Sequence, residues 1–505
     1  MANIDINFTD VEDRYEYDMA QAYFDAGMKD TVGYFDGFFR VNPFKGGYTI
    51  ISGLDDIIDF IKNLHYTEEM LDYMKENFDY SDEFIEYLRN LKFTGDVYAV
   101  PDGTPMFPNE PIITIKAPIL EAQMLETTIL AYYNHGPLVS TGARRIVKEA
   151  NAPVSDFGSR RGHGPYSVTN AAKYAYIGGC VGTSNVKAGR IFDIPAVGTM
   201  AHSFIQAFDT EYDAFIAYAK SRPNNCMFLV DTYDTLKSGI PNAIKVAKEF
   251  LIPNGYPFNG IRIDSGDLVY LSKEARRMLD EAGFPDAKIC LTNGLNEASI
   301  RNLNENEAKY DVLGVGDNII APKERLGAVY KLVAIEKDGK IINKIKVSGD
   351  TIKTLNPGYK KVYRFYDVDT NKALGDVIAE HDEEIAKDRY ELIDDRNPWK
   401  RTVLEDYYVK ELQQTIFKDG NLVYDVPSLK DVKVYADAEF ATLPDRVTDN
   451  FNPHRYYVDL SAKEAELKNY MLSKATIEAA KVAIENNGYA KKLGAKAWEK
   501  KNKKN

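Results

Sequence analysis

Between Val154 and Phe208 the chain concentrates residue types that hold and transfer charged groups. A tandem arginine, Arg160-Arg161, is followed by turns dense in Gly, Ser, Thr and Asn, and the stretch ends on His202 in Gly198-Thr199-Met200-Ala201-His202-Ser203. His202 is one of only six histidines. It stands between a Gly-Thr turn and a predicted helix, Ser203–Lys220, where donors can surround a transferred phosphoryl group. A capping or packing role is the ordinary use of such a histidine. Arginine grips a planar carboxylate or a phosphate through two parallel bonds, so Arg160, Arg161 and Arg262 together imply an anionic ligand.

Further along, polar signatures close four apolar runs: Asp231-Thr232-Tyr233-Asp234, Asp264-Ser265-Gly266-Asp267, Thr292-Asn293-Gly294 and Gly314-Val315-Gly316-Asp317. Carboxylates at strand ends suit a sugar diphosphate, accepting bonds from ribose hydroxyls and holding Mg2+. Asp264 and Asp267 are the best placed for this, with an Asx turn or helix cap as the competing use. Gly314-x-Gly316 ahead of a helix offers backbone N–H groups to a phosphate, although a lone GxG is a weak signal. No Cys/His set has zinc spacing, and neither a Walker motif nor a GxSxG elbow occurs.

The elements that must position these groups are legible as alternating strands and helices. Strand candidates CMFLVDTYDT, NGIRIDSGD, AKICLTNGL and DVLGVGDNII are separated by helical stretches at Ile240–Phe250, Val269–Ala282 and Glu297–Asn306. Strand and helix repeat about every 25–35 residues, which predicts parallel βαβ units. About six to eight strands between Ala152 and Glu336 suit a barrel, whose carboxyl-terminal strand ends converge on one ligand-binding face. Residues 1–130 read as an α+β domain, with a helix at Arg14–Phe24 and a hairpin over YFDGFFRVNPFKGGYTIISG. Residues 131–336 read as the α/β catalytic domain. Residues 337–505 read as a β-rich segment and a helical tail from Ser461, ending in a lysine run.

Composition narrows the function classes. The 505 residues are 44% hydrophobic and 28% charged, as in a soluble globular protein of two or three domains. A net charge of -13 opposes general nucleic-acid binding. No apolar run approaches the roughly 20 residues needed to cross a bilayer, and the acidic N-terminus lacks the layout of a signal peptide. Cys180, Cys226 and Cys290 are few, odd in number and far apart, which fits a reducing cytoplasm.

The ordered series YxxxMAQAYF, FFRVNPFKGGY, DFGSRRG, GGCVGTSNVKAG, GTMAHSF, FLVDTYDT, GIRIDSGD, GVG and LGAVYKL, from Tyr15 to about Tyr366, resembles the nicotinate phosphoribosyltransferase family. The resemblance implies an irregular α/β barrel of the type II phosphoribosyltransferase kind, beside an α+β domain built from both ends of the chain, in a homodimer with shared sites. It implies that nicotinate and phosphoribosyl pyrophosphate are joined to nicotinate mononucleotide and pyrophosphate, in NAD salvage, with ATP and Mg2+. On the matching positions, His202 resembles the histidine phosphorylated by ATP. Tyr15, Phe157, Arg160, Thr199 and Arg262 match residues that hold nicotinate. Asp264 matches the aspartate near the ribose, and Asn293, Gly294, Gly316 and Asp317 match the loops that hold the 5′-phosphate. No metal ligand is assigned.

The sequence departs from the family pattern in three places. The usual SNDLDE reads Thr292-Asn293-Gly294-Leu295-Asn296-Glu297, the usual GVGT ends in Asp317, and Gly162-His163-Gly164 stands where relatives carry Ala-Gln-Glu. Asp317 is expected to turn outward as the cap of the following helix, with an inward pairing to Lys323 or Mg2+ as the alternative. Competing functions are a nicotinamide phosphoribosyltransferase, disfavoured by Ser184 where the amide-using relatives carry aspartate, and a non-catalytic sensor of NAD precursors. A Schiff-base aldolase would need a lysine at a strand end, and none is there.

Overall fold

The computed structural model describes residues 7–347, 355–393, 399–478 and 481–482. Its centre is a six-stranded parallel sheet of β1 (Val154–Asp156), β2 (Gly182–Thr183), β3 (Met227–Leu229), β4 (Gly260–Ile263), β5 (Lys288–Leu291) and β6 (Val312–Val315). The order across the sheet is β2-β1-β6-β5-β4-β3. The last strand therefore pairs with the first, and every other neighbour is consecutive in the chain. That is the order of a ring with one seam, between β2 and β3. The expected barrel is thus present in its irregular form. A bridge from Thr183 to Ala196 begins to cover the seam, and the chain carrying His202 continues through it.

These strands are short and almost wholly buried, as parallel strands covered by helices must be. Their core joins Phe228, Ile261, Ile289 and Leu313 to apolar residues of the surrounding helices. Helix ends follow local chemistry. Asp267 caps Leu268–Glu281 by accepting from the Tyr270 amide, and Asn296 with Ser299 forms a reciprocal capping box for Glu297–Glu305. The single helix expected over Ser203–Lys220 is two, His202–Gln206 and Glu211–Ser221, because Thr210 caps a new helix through the Asp213 amide.

Beside the barrel lies a seven-stranded antiparallel sheet, in which Val32–Phe38 pairs with Ile113–Pro118 on one side and Val329–Lys337 on the other. Asp96–Ala99 and Gln414–Lys418 extend it, so the sheet draws on both ends of the chain. The hairpin expected over residues 34–53 does not form. Its first arm is the sheet strand Val32–Phe38, and Thr49–Ile50 pairs instead with Pro105–Met106. An alternating pattern marks a strand but not its partner, and here the partners are distant in sequence. A further four-stranded sheet contains Lys360–Asp367, Ala373–Glu380, Tyr407–Glu411 and Val458–Leu460. The tail is helical from Ala462 through the described residues to 478, and the lysine run lies outside the described residues.

The helix Glu126–Glu149 braces the two bodies. Ser140 donates to the Ile50 carbonyl at 2.8 Å, while Arg145 pairs with Glu297 at 2.7 Å and donates to the Asn450 carbonyl at 3.0 Å. Gly136 is required there, because a β-carbon would stand 2.4 Å from the Ser52 carbonyl oxygen. A second tie is ionic. Lys173, with no exposed surface, reaches Asp55 at 2.9 Å and Asp56 at 2.7 Å at the start of helix Leu54–Lys62. Buried charge is retained only when paired in this way.

Candidate active site

The site is built from one row of side chains across the barrel. In the parallel register Leu229 pairs with Arg262, and Arg262 pairs with Cys290, which in turn pairs with Val312. Side chains repeat every second residue, so two residues further on Asp231, Asp264, Thr292 and Gly314 fall side by side. Arg262 lies one step inside this row and is nearly enclosed, with 12% of its side chain exposed.

Arg262 is fixed by three acceptors. Its Nε donates to Thr292 Oγ1 at 3.0 Å, one terminal nitrogen donates to Thr199 Oγ1 at 3.2 Å, and the other to Asp264 Oδ1 at 3.2 Å. The Thr292 hydroxyl in turn donates to Asp264 Oδ1. A guanidinium has five donors, so two remain for a ligand. The guanidinium carbon lies 5.6 Å from the centre of the Phe157 ring, leaving an aromatic face beside a cation. Gly314 makes that placement possible, since a β-carbon there would come 2.6 Å from the Phe157 ring and 2.7 Å from the Thr292 methyl.

His202 enters from the seam. Its Nδ1 is 3.0 Å from Thr232 Oγ1, and its Nε2 faces two carboxylates, Asp264 Oδ2 at 3.8 Å and Asp231 Oδ1 at 4.0 Å. Asp231 is held rigidly. Its Oδ2 accepts from the Asp264 amide at 2.9 Å and the Ser265 hydroxyl at 2.6 Å, while its buried Oδ1 has no hydrogen-bond partner among the described residues. A buried acceptor left open in this way costs stability unless a ligand or a protonated neighbour serves it. Paired carboxylates at Nε2 favour the Nε2–H tautomer, so the imidazole lone pair resides on Nδ1, where the Thr232 hydroxyl donates to it.

Of the residues singled out from the sequence, the structure joins His202, Asp264, Arg262, Thr199 and Phe157 in one network. Arg160 is exposed on the turn Ser159–Arg161 and makes no ion pair among the described residues. That turn is set by Asp156, which accepts from the Gly158 amide at 2.7 Å and the Thr183 hydroxyl at 2.6 Å. Burial raises the Asp156 pKa, and these two bonds draw it back. Asn293 and Gly294 both adopt left-handed backbone, with φ of 94° and 60°, which turns the loop sharply after β5. Asn318 donates to the Gly294 and Leu295 carbonyls and so ties this loop to the one after β6. Gly316 packs against the turn after β1, its would-be β-carbon 3.4 Å from the Phe157 carbonyl oxygen.

Two expectations are altered. Asp317 is exposed and unpaired with Lys323, but it is not the cap. Gly316 is the N-cap and Asp317 the first helical residue, with no side-chain bond to the helix, because the tight Gly316 turn starts the helix one residue early. Asp267 is a helix cap rather than a ligand-facing carboxylate. Tyr15 is not brought to the network. It lies on helix Arg14–Asp25 with 47% exposure, and burial first, then Glu126 and Glu16, raise its pKa. Asp231, Thr232 and Thr292 were not singled out as site residues, although each lies within a strand-end signature.

Three family profiles match the chain: the nicotinate phosphoribosyltransferase N-terminal domain over residues 11–134, the nicotinate phosphoribosyltransferase family over 152–378, and its C-terminal domain over 359–468. The nicotinate phosphoribosyltransferase of Bacillus subtilis (strain 168) is 43% identical over 453 residues, covering 89% of this chain and 92% of that protein. The enzyme of the same name from Dictyostelium discoideum is 32% identical, covering 89% and 85%. Among solved structures, human nicotinic acid phosphoribosyltransferase superposes with a TM-score of 0.82 at 26% identity, covering 91% of this chain and 99% of that one. A nicotinate-nucleotide pyrophosphorylase from Pyrococcus furiosus shares the fold, with a TM-score of 0.67 at 20% identity over 88% and 97%.

Proposed function

The chain belongs to the nicotinate phosphoribosyltransferase family, and from that premise we propose how its strand-end network joins nicotinate to phosphoribosyl pyrophosphate in NAD salvage. Arg262 receives the nicotinate carboxylate through its two uncommitted donors, and the ring stacks on Phe157. The pyridine nitrogen then attacks C1 of the ribose as pyrophosphate leaves. Asp264 faces the positive charge that develops on the ribose, and its fixed bonds to Arg262 and Thr292 keep it oriented. The turns at Asn293-Gly294 and Gly316-Asp317 receive the 5′-phosphate.

The coupling of ATP rests on one observation: His202 is held at Nδ1 by a hydroxyl while two carboxylates face Nε2. In this reading the lone pair on Nδ1 attacks the γ-phosphorus of ATP, and ADP leaves. The carboxylates then bind the Nε2 proton, and the Asp231 oxygen without a partner is the acceptor waiting for it. A phosphoryl group could not sit on Nε2 between two carboxylates without strong repulsion. Nδ1 is therefore the modified atom.

Among the described residues no three His, Cys, Asp or Glu side chains form a metal cage. Mg2+ accordingly belongs with the polyphosphates it accompanies, Asp264 and Asp231 being the protein carboxylates within reach. The exposed Tyr15 completes the nicotinate site of a second copy in a homodimer. Among the described residues no helix is long and apolar enough to cross a membrane, and we assign the enzyme to the cytoplasm.

The test is incubation with labelled nicotinate, phosphoribosyl pyrophosphate, Mg2+ and ATP, repeated with nicotinamide. Nicotinate mononucleotide should form, and the amide should be a poor substrate. With γ-labelled ATP the protein should acquire an acid-labile, base-stable label on Nδ1 of His202. An equally labelled His202→Ala protein would sink the phosphohistidine reading.

A further inference from the structure

Two tyrosines follow the strand-end residues of this site in the chain and have no ring partner among the described residues. Tyr233 follows Thr232 directly and is 62% exposed, and Tyr270, in the first turn of helix Leu268–Glu281, is 55% exposed. Neither ring makes a hydrogen bond, stacking contact or cation contact among the described residues. Single exposed aromatics are ordinary on a protein surface. These two differ in their placement: Tyr233 lies in the loop that holds Asp231, and Tyr270 in the helix that follows the Asp264 loop.

Those loops are joined to each other. β3 and β4 are neighbours, with Leu229 opposite Arg262. Beyond them the Ser265 hydroxyl and the Asp264 amide both bond Asp231, and the turn Thr235–Gly239 packs on helix Leu268–Glu281. Asp234 caps that turn from its amide side, and Asp267 caps the helix, so both tyrosines leave fixed backbone. Thr232, between Asp231 and Tyr233, touches His202.

The chemistry at His202 needs a nucleotide whose γ-phosphate reaches the imidazole. A ribose and two further phosphates separate that phosphorus from the base, so the base falls on the rim and not in the core of the site. We propose that Tyr233 and Tyr270 are the aromatic seat for the purine of the nucleoside triphosphate that phosphorylates His202. The inference rests on the ATP reading above and adds the subsite that distinguishes a nucleotide from a bare polyphosphate. Stacking uses the face of the base and reads no particular edge. The seat therefore favours purine over pyrimidine triphosphates by area, and accepts adenine and guanine alike.

The test uses the full-length enzyme with Tyr233→Ala, Tyr270→Ala and the double variant, together with the two Tyr→Phe changes. Label transfer from γ-labelled ATP is measured against ATP concentration, with inorganic tripolyphosphate as a competitor that has no base. In the double alanine variant the KM for ATP should rise about ten- to a hundredfold. Inhibition by tripolyphosphate and the KM for nicotinate should be unchanged, and the phenylalanine variants should behave as the parent. A labelled parent whose double variant keeps its KM for ATP overturns this inference alone, as does an equal loss of tripolyphosphate binding or a raised KM for nicotinate. A parent that takes no label overturns the ATP reading itself, and this inference with it.

Discussion

Arg262→Lys keeps the positive charge and removes the planar fork. Lysine concentrates three donors on one nitrogen, whereas Arg262 spreads its bonds over Thr292, Thr199 and Asp264 from three separate nitrogens. A single ammonium cannot meet all three acceptors and also grip a carboxylate with two parallel bonds. At least one bond within the protein and one to the ligand are lost. At about 1.5–3 kcal/mol for each bond to a charged group, the expected loss is roughly 3–6 kcal/mol in transition-state stabilisation. That corresponds to about a 150- to 25,000-fold fall in kcat/KM for nicotinate. Phosphorylation of His202 should survive, because Thr232, Asp231 and Asp264 hold the histidine without the guanidinium. The assay is steady-state synthesis over a nicotinate series, run beside label transfer from γ-labelled ATP. A lysine variant within about threefold of the parent would show that charge alone suffices and that the fork does not hold the carboxylate.

Three further outcomes follow from particular residues. Mixing the inactive variants Tyr15→Ala and Arg262→Ala should restore part of the activity through hybrid dimers, and a fully active monomer in sedimentation would refute the shared site. Asp317→Thr removes an exposed carboxylate beside the Gly316 turn and should tighten phosphoribosyl pyrophosphate several-fold, roughly 1 kcal/mol; weaker binding would mean that Asp317 contributes favourably. Glu464 is buried and its carboxyl is pushed up to about 8, first by burial, with Glu380 and Asp36 adding and Lys360 opposing. The folded chain therefore holds a proton that the unfolded chain releases above its ordinary value of 4.5, and stability falls as pH rises from there to about 8, by up to ~1.4 kcal/mol per pH unit. Glu464→Gln should flatten that decline between parent and variant in melting temperature measured across the range, and identical slopes would count against it.

How much of this was legible in the sequence depended on whether a residue acts through its own segment or through its neighbours. The strand runs ending at Ile263, Leu291 and Val315 could be read because parallel strands buried on both faces are apolar throughout. His202, Arg262 and Asp264 were visible as unusual residue types at strand or loop ends. The cap lies at Gly316, one position before Asp317, since cap geometry depends on where the backbone turns and not only on which side chain is polar. The strand Val32–Phe38 was recognisable, but its partners lie about 80 and 300 residues away, and no local pattern names them. The same limit hid Asp231 and Thr292. Each looks like an ordinary strand-end turn residue when read alone. Their role arises because the register sets Leu229, Arg262 and Cys290 level on adjacent strands. A side-chain period of two then carries Asp231 and Thr292 to either side of Asp264. A slip of one residue in either pairing would turn one of them away from the site. The catalytic row is thus a property of strand register, which is decided by the packing of the whole barrel and is not written in any one motif.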